Sequence, residues 1–240
     1  MKIGLVIPWR PSPDRMKAIA KVLTWYEEQF PDIEIFFADR DGEYWQHSAS
    51  RNDGVKQAQE AHCNIIIMND ADTIPEYESL ISAITAAKSD RFIHNPYTIC
   101  KYLDDKTTED YLSNKIILKD IPKGSPIKEW DAFGVHQIWE IDWACGGIFV
   151  FQPDAWWDLN GMDEKIIHGP EDLCFERVHQ VVKGRKFIKH PGTIYALSHN
   201  QREKVTEKDH AIEANNIRLY NLYMNTDSAE EILKIVKANA

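Results

Sequence analysis

The feature that most constrains the fold is the alternation of apolar strands with amphipathic helices in the N-terminal part of the chain. Apolar runs at 2–8, 33–38 and 64–68 are separated by two segments, 14–29 and 49–61, that we interpret as crossover helices. The third run is continuously apolar, which is typical of a central strand covered on both faces. These patterns predict an α/β domain with a mostly parallel central sheet flanked by helices.

The rest of the chain is expected to complete this domain. Residues 96–140 are rich in charge and tyrosine, and we interpret them as an insertion or loop region. Further elements are predicted as a strand at 147–151, a helix at 170–184 and two helices in the tail at 208–239. We therefore expect one domain over residues 1–205 and a helical extension, 206–240, packed on it.

Hydroxyl side chains near three predicted helix starts indicate N-caps. Ser48 or Ser50 is expected to cap the helix at 49–61. Two further pairs have the spacing of a capping box, Thr73 with Glu76 and Ser228 with Glu231.

Composition excludes several classes of function. The formal net charge of -10 disfavours nonspecific nucleic-acid binding, which requires a basic surface. No apolar run is long enough to span a membrane, and the first predicted strand begins at once, without a leader segment. The four cysteines lie far apart, without metal-finger spacing, as in proteins of a reducing compartment. We therefore expect a cytoplasmic protein.

Two aspartates follow the most apolar predicted strand directly. Asp70 and Asp72 stand one residue apart after the run at 64–68. In open parallel sheets, ligands bind beyond the carboxyl ends of the strands, where this pair is expected to lie. Neighbouring carboxylates suit a hard divalent cation, Mn²⁺ or Mg²⁺, that also binds the oxygens of a diphosphate. An Asx turn leading into a helix is the alternative interpretation.

Glycines and acidic residues form a second set of candidate site residues. Gly146 and Gly147 precede a predicted strand and would let a ligand approach the backbone closely, or they would form a simple β-bulge. Glu171 and Asp172 lie in the first turn of the helix at 170–184, where the helix dipole stabilises carboxylates whatever their role. As catalytic groups, one would deprotonate a substrate hydroxyl and the other would hydrogen-bond the substrate.

His199 is a further candidate metal ligand. It follows a predicted strand, and its imidazole suits a remaining position on a cation held by Asp72. This expectation depends on the acidic pair, because an isolated histidine at a strand end is more often a surface or capping residue.

The order of these motifs resembles that of glycosyltransferases with the A-type fold. The motifs are Asp-Ala-Asp at 70–72, Gly-Gly at 146–147, Gly-Met-Asp-Glu at 161–164, Gly-Pro-Glu-Asp at 169–172 and His-x-x-Arg at 199–202. The pattern is most similar to the branch of polypeptide N-acetylgalactosaminyltransferases, chondroitin polymerases and β-galactosyltransferases. The resemblance covers about residues 1–205, and the small size resembles standalone bacterial or bacteriophage enzymes.

The resemblance implies an enzyme that transfers a hexose or N-acetylhexosamine from a nucleotide-sugar, UDP-linked in this branch, to an acceptor hydroxyl on a protein side chain or glycan. Mn²⁺ or Mg²⁺ would be the cofactor, bound by Asp70, Asp72 and His199. Glu171 and Asp172 would lie beside the reacting centre. The donor-binding residues implied by the same motifs are Pro8, Trp9, Arg10, Asp39, Arg51, Asn52, Asp70, Ala71, Gly146, Gly147 and Arg202.

One position bears on the stereochemistry of the reaction. The retaining polypeptide enzymes resemble Glu-Asn where this chain has Glu171 and Asp172, whereas inverting relatives resemble Glu-Asp. Asp172 as the base therefore favours an inverting displacement. Pro170 precedes the pair, and His168 stands where tryptophan is common, so the sequence leaves the acceptor geometry open.

Two other functions remain open from the sequence. A nucleotidyltransferase also binds a nucleotide and a metal, but it would usually carry a glycine-rich phosphate loop after the first strand, where this chain has Pro8, Trp9 and Arg10. A catalytically silent nucleotide-sugar or carbohydrate-binding module would not need Asp172 together with the metal-binding residues.

Overall fold

Two β-sheets and their flanking helices make up the described part of the chain. The computed structural model describes residues 1–121, 140–141, 144–167, 169–199 and 207–239. In chain order the elements are β1 (Ile3–Pro8), α1 (Met16–Gln29), β2 (Glu34–Ala38), α2 (His47–Glu60), β3 (Ile65–Asn69), β4 (Thr73–Pro75), α3 (Tyr77–Ala87), β5 (His94–Asn95), β6 (Ile99–Tyr102), α4 (Asp105–Leu112), β7 (Glu140–Ile141), β8 (Ile148–Phe151), α5 (Pro153–Trp157), α6 (Glu171–Lys183), β9 (Ile188–Lys189), β10 (Thr193–Ala196), α7 (Glu207–Met224) and α8 (Ala229–Asn239).

The larger sheet forms the centre of the molecule, with strand order β2-β1-β3-β8-β5-β9. β1 pairs in parallel with β2 and β3, and β5 pairs in parallel with β9, whereas β8 runs antiparallel to both of its neighbours. Three of these five strand pairs are therefore parallel. The predicted α/β class, with a central sheet flanked by helices, is confirmed.

Side chains of the central strand alternate between two apolar cores. Ile65 and Ile67 pack with α1 and α3 on one face, whereas Ile66 and Met68 pack with α2, α5 and α6 on the other. Both faces of β3 are thus covered, which accounts for its unbroken apolar run. Tyr223 of α7 and residues of α8 belong to the second core. Among the described helices, none is both long and apolar enough to cross a membrane.

Helix α2 approaches β1 closely because residue 54 is a glycine. A Cβ atom at Gly54 would lie 2.2 Å from Cγ1 of Val6, so any larger residue would push the helix away from the sheet. The close packing brings the N-terminal half of α2 to the carboxyl end of β3, where Arg51 contacts Asp70. His47 lies on the same face of α2, since it precedes Arg51 by four residues.

The antiparallel pairing of β3 with β8 brings the paired glycines to the acidic pair. Asn69 pairs with Ile148, and the backbone N–H of Asp70 donates to the carbonyl of Gly147 at 2.9 Å. Gly147 has a φ of +83°, a left-handed conformation that favours glycine. Motifs that are distant in sequence therefore meet at one edge of the sheet.

A second sheet, which the sequence pattern does not reveal, brings His199 to the same edge. Its strand order is β4-β10-β6-β7, with β10 antiparallel to β4 and parallel to β6. Just beyond β10, the backbone N–H of Leu197 donates to the carbonyl of Asp72 at 2.8 Å. This bond directs the following residues, including His199, toward the acidic pair.

The expectation of a loop region at 96–140 is partly wrong. β6 and α4 lie within it, and the Asp104 side chain caps α4 by accepting from the backbone N–H of Thr107 at 2.6 Å. β6 has only four residues, too few to show a strand period in the sequence, and its pairing with β10 is long-range. Residues 122–139 lie outside the described residues.

The two predicted capping boxes have different outcomes. The Ser228 cap is confirmed, since the backbone N–H of Glu231 donates to its Oγ at 3.3 Å. The pairing of Thr73 with Glu76 is wrong, because Thr73 belongs to β4 and the Glu76 carboxylate accepts from the backbone N–H of Thr193. A strand pairing that is remote in sequence here overrides the local signal.

The predicted serine caps of α2 are also wrong. The helix begins at His47, and the side chain of the preceding residue, Gln46, makes no capping hydrogen bond. Ser48 Oγ donates to the carbonyl of Ile166 at 3.0 Å, and Ser50 Oγ accepts from the backbone N–H of Arg40 at the same distance. Both hydroxyls therefore join α2 to neighbouring loops.

Candidate functional site

A cavity of about 420 Å³ lies where β1 and β3 end. The loop after β3, the paired glycines, the first turn of α6 and the segment after β10 line it. The predicted site residues that line the cavity are Pro8, Asp70, Ala71, Asp72, Gly146, Gly147, Asp172 and His199. This is the position at which open α/β sheets bind ligands.

Asp72 and His199 are in direct contact in this cavity. His199 Nε2 lies 2.8 Å from Asp72 Oδ2, and Arg15 Nη2 donates to the same oxygen at 3.0 Å. Burial alone would raise the pKa of Asp72, but the hydrogen bond with His199 and the charge of Arg15 lower it below its ordinary value. Asp72 is therefore ionised at neutral pH, which suits a cation ligand.

Asp70 is held from the side of α2. Arg51 Nη2 donates to Asp70 Oδ1 at 2.9 Å, and His47 Nε2 lies 3.5 Å from the same atom. Burial opposes ionisation, but Arg51 and His47 together keep the pKa of Asp70 well below its usual range. Within the described residues both contacts fall on Oδ1, so that Oδ2 is the oxygen left for a ligand.

Arg51 is a completely buried cation that links the two acidic pairs. Its Nη1 donates to Asp172 Oδ1 at 2.5 Å and lies 3.6 Å from Glu171 Oε1. Its Cζ lies 5.4 Å from the centre of the Phe149 ring. The exposed fraction of Arg51 is 0% and it is not among the residues that line the cavity, so it acts on the cavity through these carboxylates. Its predicted contact with the donor stays a prediction.

Glu171 and Asp172 differ in ionisation although they are adjacent. Burial opposes ionisation of Glu171, but a 3.0 Å contact between its Oε1 and His47 Nδ1 lowers its pKa. For Asp172, burial outweighs the opposing charge of Arg51, and together with the charges of Glu171 and Asp70 it raises the pKa to about 7. Asp172 can therefore gain or lose a proton near neutral pH, whereas Glu171 remains ionised.

Gly146 provides the space that Asp172 occupies. A Cβ atom at Gly146 would lie 1.9 Å from Asp172 Oδ2, so any side chain there would displace the carboxylate. The Tyr97 hydroxyl donates to the carbonyl of Gly146 at 2.5 Å and holds this segment in place. Glycine is therefore required at this position by the close approach of a carboxylate, and not only by a β-bulge.

Three predicted donor-binding residues lie beyond the cavity, at the ends of β1 and β2. Arg10 Nη2 donates to Asp39 Oδ1 at 2.8 Å, and both side chains are partly exposed. The ring centre of Trp9 lies 5.9 Å from Cζ of Arg15, a cavity residue. The strand ends thus carry a polar and aromatic surface that continues from the cavity.

The side-chain amide of Asn52 makes its hydrogen bonds within the protein. Its Nδ2 donates to the carbonyl of Met162 at 2.9 Å and to Glu164 Oε1 at 3.1 Å. Its Oδ1 accepts from Trp156 Nε1 and from the backbone N–H of Met162, both at 3.0 Å. Asn52 therefore fixes the Gly-Met-Asp-Glu loop, and its predicted contact with the donor stays a prediction. Arg202 lies outside the described residues.

Sequence reasoning missed two cations of the site. Burial and Arg51 oppose protonation of His47, but its contacts with Asp70 and Glu171 outweigh them and raise its pKa to about 9. Its spacing of four residues from Arg51 was an available signal. No local pattern relates Arg15 to Asp72, because they meet only through the fold.

No three carboxylate, imidazole or thiol side chains of the described ranges converge on a point that could hold a metal ion. The predicted ligands Asp72 and His199 nevertheless touch, and Asp70 lines the same cavity. Arg15 occupies the Asp72 oxygen that His199 also contacts. The arrangement is that of a carboxylate site neutralised by protein cations.

No protein-family model matches this sequence, and no curated protein matches it either. Solved structures do match. The catalytic domain of Drosophila beta1,4-galactosyltransferase 7 with xylobiose has a TM-score of 0.53 at 16% identity, covering 88% of this chain and 79% of that chain. A mutant of that enzyme in complex with manganese, UDP-Gal and xylobiose has the same TM-score and coverage at 15% identity.

A mannosyltransferase from Pyrobaculum calidifontis, in complex with GDP-Man and Mn²⁺, covers 99% of this chain and 68% of that chain, with a TM-score of 0.47 at 12% identity. The fold assignment rests on the two galactosyltransferase structures, because their TM-scores are higher than that of the mannosyltransferase. The fold of this chain is the A-type glycosyltransferase fold, as the order of its sequence motifs predicts.

Proposed function

We propose that this chain is a metal-dependent glycosyltransferase. It moves a hexose or N-acetylhexosamine from a nucleotide-sugar, with UDP as the first choice of nucleotide, to a hydroxyl of a protein side chain or glycan. The observation that carries the proposal is the meeting of Asp72 and His199 with Asp172 and Gly146 in one cavity of an A-type glycosyltransferase fold. The manganese and UDP-Gal bound by the Drosophila enzyme support the choice of ligands.

Asp70, Asp72 and His199 fit a divalent cation by the chemistry of their donor atoms. Carboxylate oxygen and imidazole nitrogen both bind Mn²⁺, and small hard cations complete their coordination with water and substrate phosphates. Two or three protein ligands are therefore enough when a nucleotide is present. Mn²⁺ is the first choice and Mg²⁺ the alternative. When bound, the cation neutralises the charge that develops on the diphosphate leaving group.

Asp172 is the proposed catalytic base. It takes the proton of the acceptor hydroxyl while the oxygen attacks the anomeric carbon, and the bond from that carbon to the diphosphate breaks on the opposite side. The product then has inverted configuration. A pKa of about 7 supports this role, because a base works best when its pKa lies near the working pH.

Glu171 is buried beside Asp172 and is not among the residues that line the cavity; in this proposal it accepts a hydrogen bond from the bound substrate. The buried cations keep the carboxylates in place. Arg51 holds Asp70 and Asp172, and His47 holds Asp70 and Glu171. Arg51 and His47 are positioning residues, since catalysis requires the base to be fixed relative to the anomeric carbon.

The donor is proposed to extend from the glycines to the strand ends. Gly146 and Gly147 lie beside the sugar, and Ala71 lies beside the diphosphate. Pro8, Trp9, Arg10, Asp39 and Arg202 are proposed to hold the nucleoside. The pair of Arg10 with Asp39 offers both donor and acceptor atoms at a partly exposed edge, which supports recognition of a base or ribose.

The proposal is tested by incubating the protein with a panel of nucleotide-sugars and Mn²⁺ and by measuring release of the nucleoside diphosphate. We expect release from one donor, its loss on chelation, and its loss in Asp72→Ala and Asp172→Asn. Asp154→Asn is a matched control, because Asp154 is an exposed carboxylate of α5 outside the cavity. NMR of the product anomer then decides between inversion and retention.

Other outcomes would replace the proposal. Release of pyrophosphate from a nucleoside triphosphate and a sugar phosphate would indicate a nucleotidyltransferase. Binding of a nucleotide-sugar without hydrolysis or transfer to any acceptor in a broad panel would indicate a silent binding module.

A further inference from the structure

Arg15 occupies the carboxylate oxygen at which the proposed function requires a cation. It ends a short 3₁₀ turn, Pro13–Arg15, directly before α1, and its side chain lines the cavity. Its Nη2 lies 3.0 Å from Asp72 Oδ2, the oxygen that His199 Nε2 also contacts. Because like charges repel, Arg15 and a divalent cation compete for Asp72.

The guanidinium of Arg15 is held at the cavity wall by aromatic rings as well as by Asp72. Its Cζ lies 5.2 Å from the centre of the Trp45 ring and 5.9 Å from that of Trp9. Its Nε is buried and donates to no acceptor among the residues that the structure describes. A guanidinium has five N–H donors in a planar fork, so this one retains capacity for a further anionic partner.

We propose that Arg15 exchanges partners during the binding of donor and metal. In the metal-free protein it neutralises Asp72. When a divalent cation binds Asp72, Arg15 leaves that carboxylate, stays against the aromatic rings and donates to the diphosphate of the nucleotide-sugar. Arginine is suited to this exchange because its fork binds carboxylate and phosphate oxygens alike. This inference rests on the proposed function.

The exchange predicts effects of opposite sign in a single variant. In Arg15→Met the competitor of the metal is gone, so Mn²⁺ binds the nucleotide-free protein more tightly, by about threefold to tenfold. The same variant lacks a donor to the diphosphate, so UDP binds the Mn²⁺-loaded protein more weakly, by about tenfold. If Arg15 had only a structural role, its substitution would not strengthen Mn²⁺ binding while weakening UDP binding.

The test is calorimetric titration of Mn²⁺ into nucleotide-free protein, followed by titration of UDP at saturating Mn²⁺. Wild type, Arg15→Met and Arg15→Lys are compared, with Arg91→Met as a matched control, because Arg91 is exposed and paired with Asp154 outside the cavity. Arg15→Lys keeps the charge but lacks the fork, so we expect near-normal Mn²⁺ affinity and weaker UDP binding. This variant decides the question if Arg15→Met does not fold.

The exchange is overturned if Arg15→Met binds Mn²⁺ and UDP with wild-type affinity, or if it binds both ligands more weakly. Arg15→Lys with unchanged UDP affinity overturns it as well. If wild type itself binds neither Mn²⁺ nor UDP, the proposed function fails, and the inference fails with it. The two failures are therefore distinguishable.

Discussion

The two acidic parts of the cavity have opposite electrostatic character. Asp72, after β3, contacts Arg15 and His199, and its pKa is lowered. Asp172, in the first turn of α6, contacts Arg51, yet burial and neighbouring carboxylates raise its pKa to about 7. A cation contact alone therefore does not fix the ionisation of a buried carboxylate. The balance of charges around it decides.

The different charges around Asp72 and Asp172 suit these two carboxylates to different roles in one cavity. A carboxylate that stays ionised is suited to holding a cation, and one that titrates near neutral pH is suited to moving a proton. The proposed function assigns these roles to Asp72 and Asp172.

The largest expected effect is the loss of catalysis when Asp172 is replaced. Asp172→Asn removes the base, and we expect kcat to fall by about 10²–10⁴-fold, with little change in KM for the donor. Steady-state kinetics with Mn²⁺ and the donor that the nucleotide-sugar panel selects measures both. A fall in kcat smaller than about tenfold, or a loss confined to KM, would assign Asp172 to binding.

The second expected effect is on stability. Arg51→Met leaves the buried carboxylates of Asp70 and Asp172 without their main counter-charge, and we expect a loss of about 3–5 kcal/mol in the free energy of unfolding. Urea denaturation at neutral pH measures this loss. Arg10→Met is the matched control, because Arg10 also pairs with an aspartate but is partly exposed, and a loss below about 1 kcal/mol is expected there. Equal losses in the two variants would contradict the account.

The third effect has an unusual sign, because Asp172→Asn should stabilise the protein at alkaline pH. Below about pH 4, Asp172 is protonated in both folded and unfolded chains and contributes nothing. As pH rises to about 7, the unfolded chain ionises first and wild-type stability falls. We expect the variant to exceed wild type by on the order of 1–3 kcal/mol at pH 8, with no excess at pH 4.

Asp72→Asn is the contrasting variant for this measurement. The folded pKa of Asp72 is lowered, so its ionised form stabilises the folded chain above its ordinary pKa. Asp72→Asn should therefore lose stability at pH 8, opposite in sign to Asp172→Asn. The same sign in both variants would remove the distinction between the two parts of the cavity.

The smallest expected effect is a shift of the pH profile. The acidic limb of kcat/KM reports the free-enzyme pKa of Asp172, so activity should rise through about pH 7. Glu171→Gln removes a charge that raises this pKa, and His47→Gln removes one that lowers it. We expect the limb to move to lower pH in the first variant and to higher pH in the second, by on the order of one unit. Shifts in the same direction would show that the limb belongs to another group.

Local sequence patterns predicted the strands β1, β2, β3 and β8 of the central sheet, but in the second sheet only the strand that precedes His199. β1 and β3 have several consecutive apolar residues, and a hydrophobic run of this length is a local signal. β4, β6 and β10 have only three or four residues each, and their pairing is long-range. Because Thr73 pairs with β10 as part of β4, it does not form the predicted capping box with Glu76.

The anions of the cavity were predicted from the sequence, whereas two of its cations, Arg15 and His47, were not. Asp70, Asp72 and Asp172 follow a strand end or begin a helix, so their positions are readable from neighbouring elements. Arg15 reaches Asp72 across 57 residues, and no periodicity records such a contact. Asn52 stands in a recognisable motif, but only packing shows that its amide is satisfied by the Gly-Met-Asp-Glu loop.

The rise in melting temperature that UDP and Mn²⁺ produce distinguishes a binding role of Asp72 from a chemical role of Asp172. A ligand at one hundred times its Kd stabilises the folded state by about 2.7 kcal/mol, a shift of several degrees for a chain of this size. We predict this shift in wild type and in Asp172→Asn, and its absence in Asp72→Asn. A wild-type shift in Asp72→Asn, or its loss in Asp172→Asn, would contradict the account.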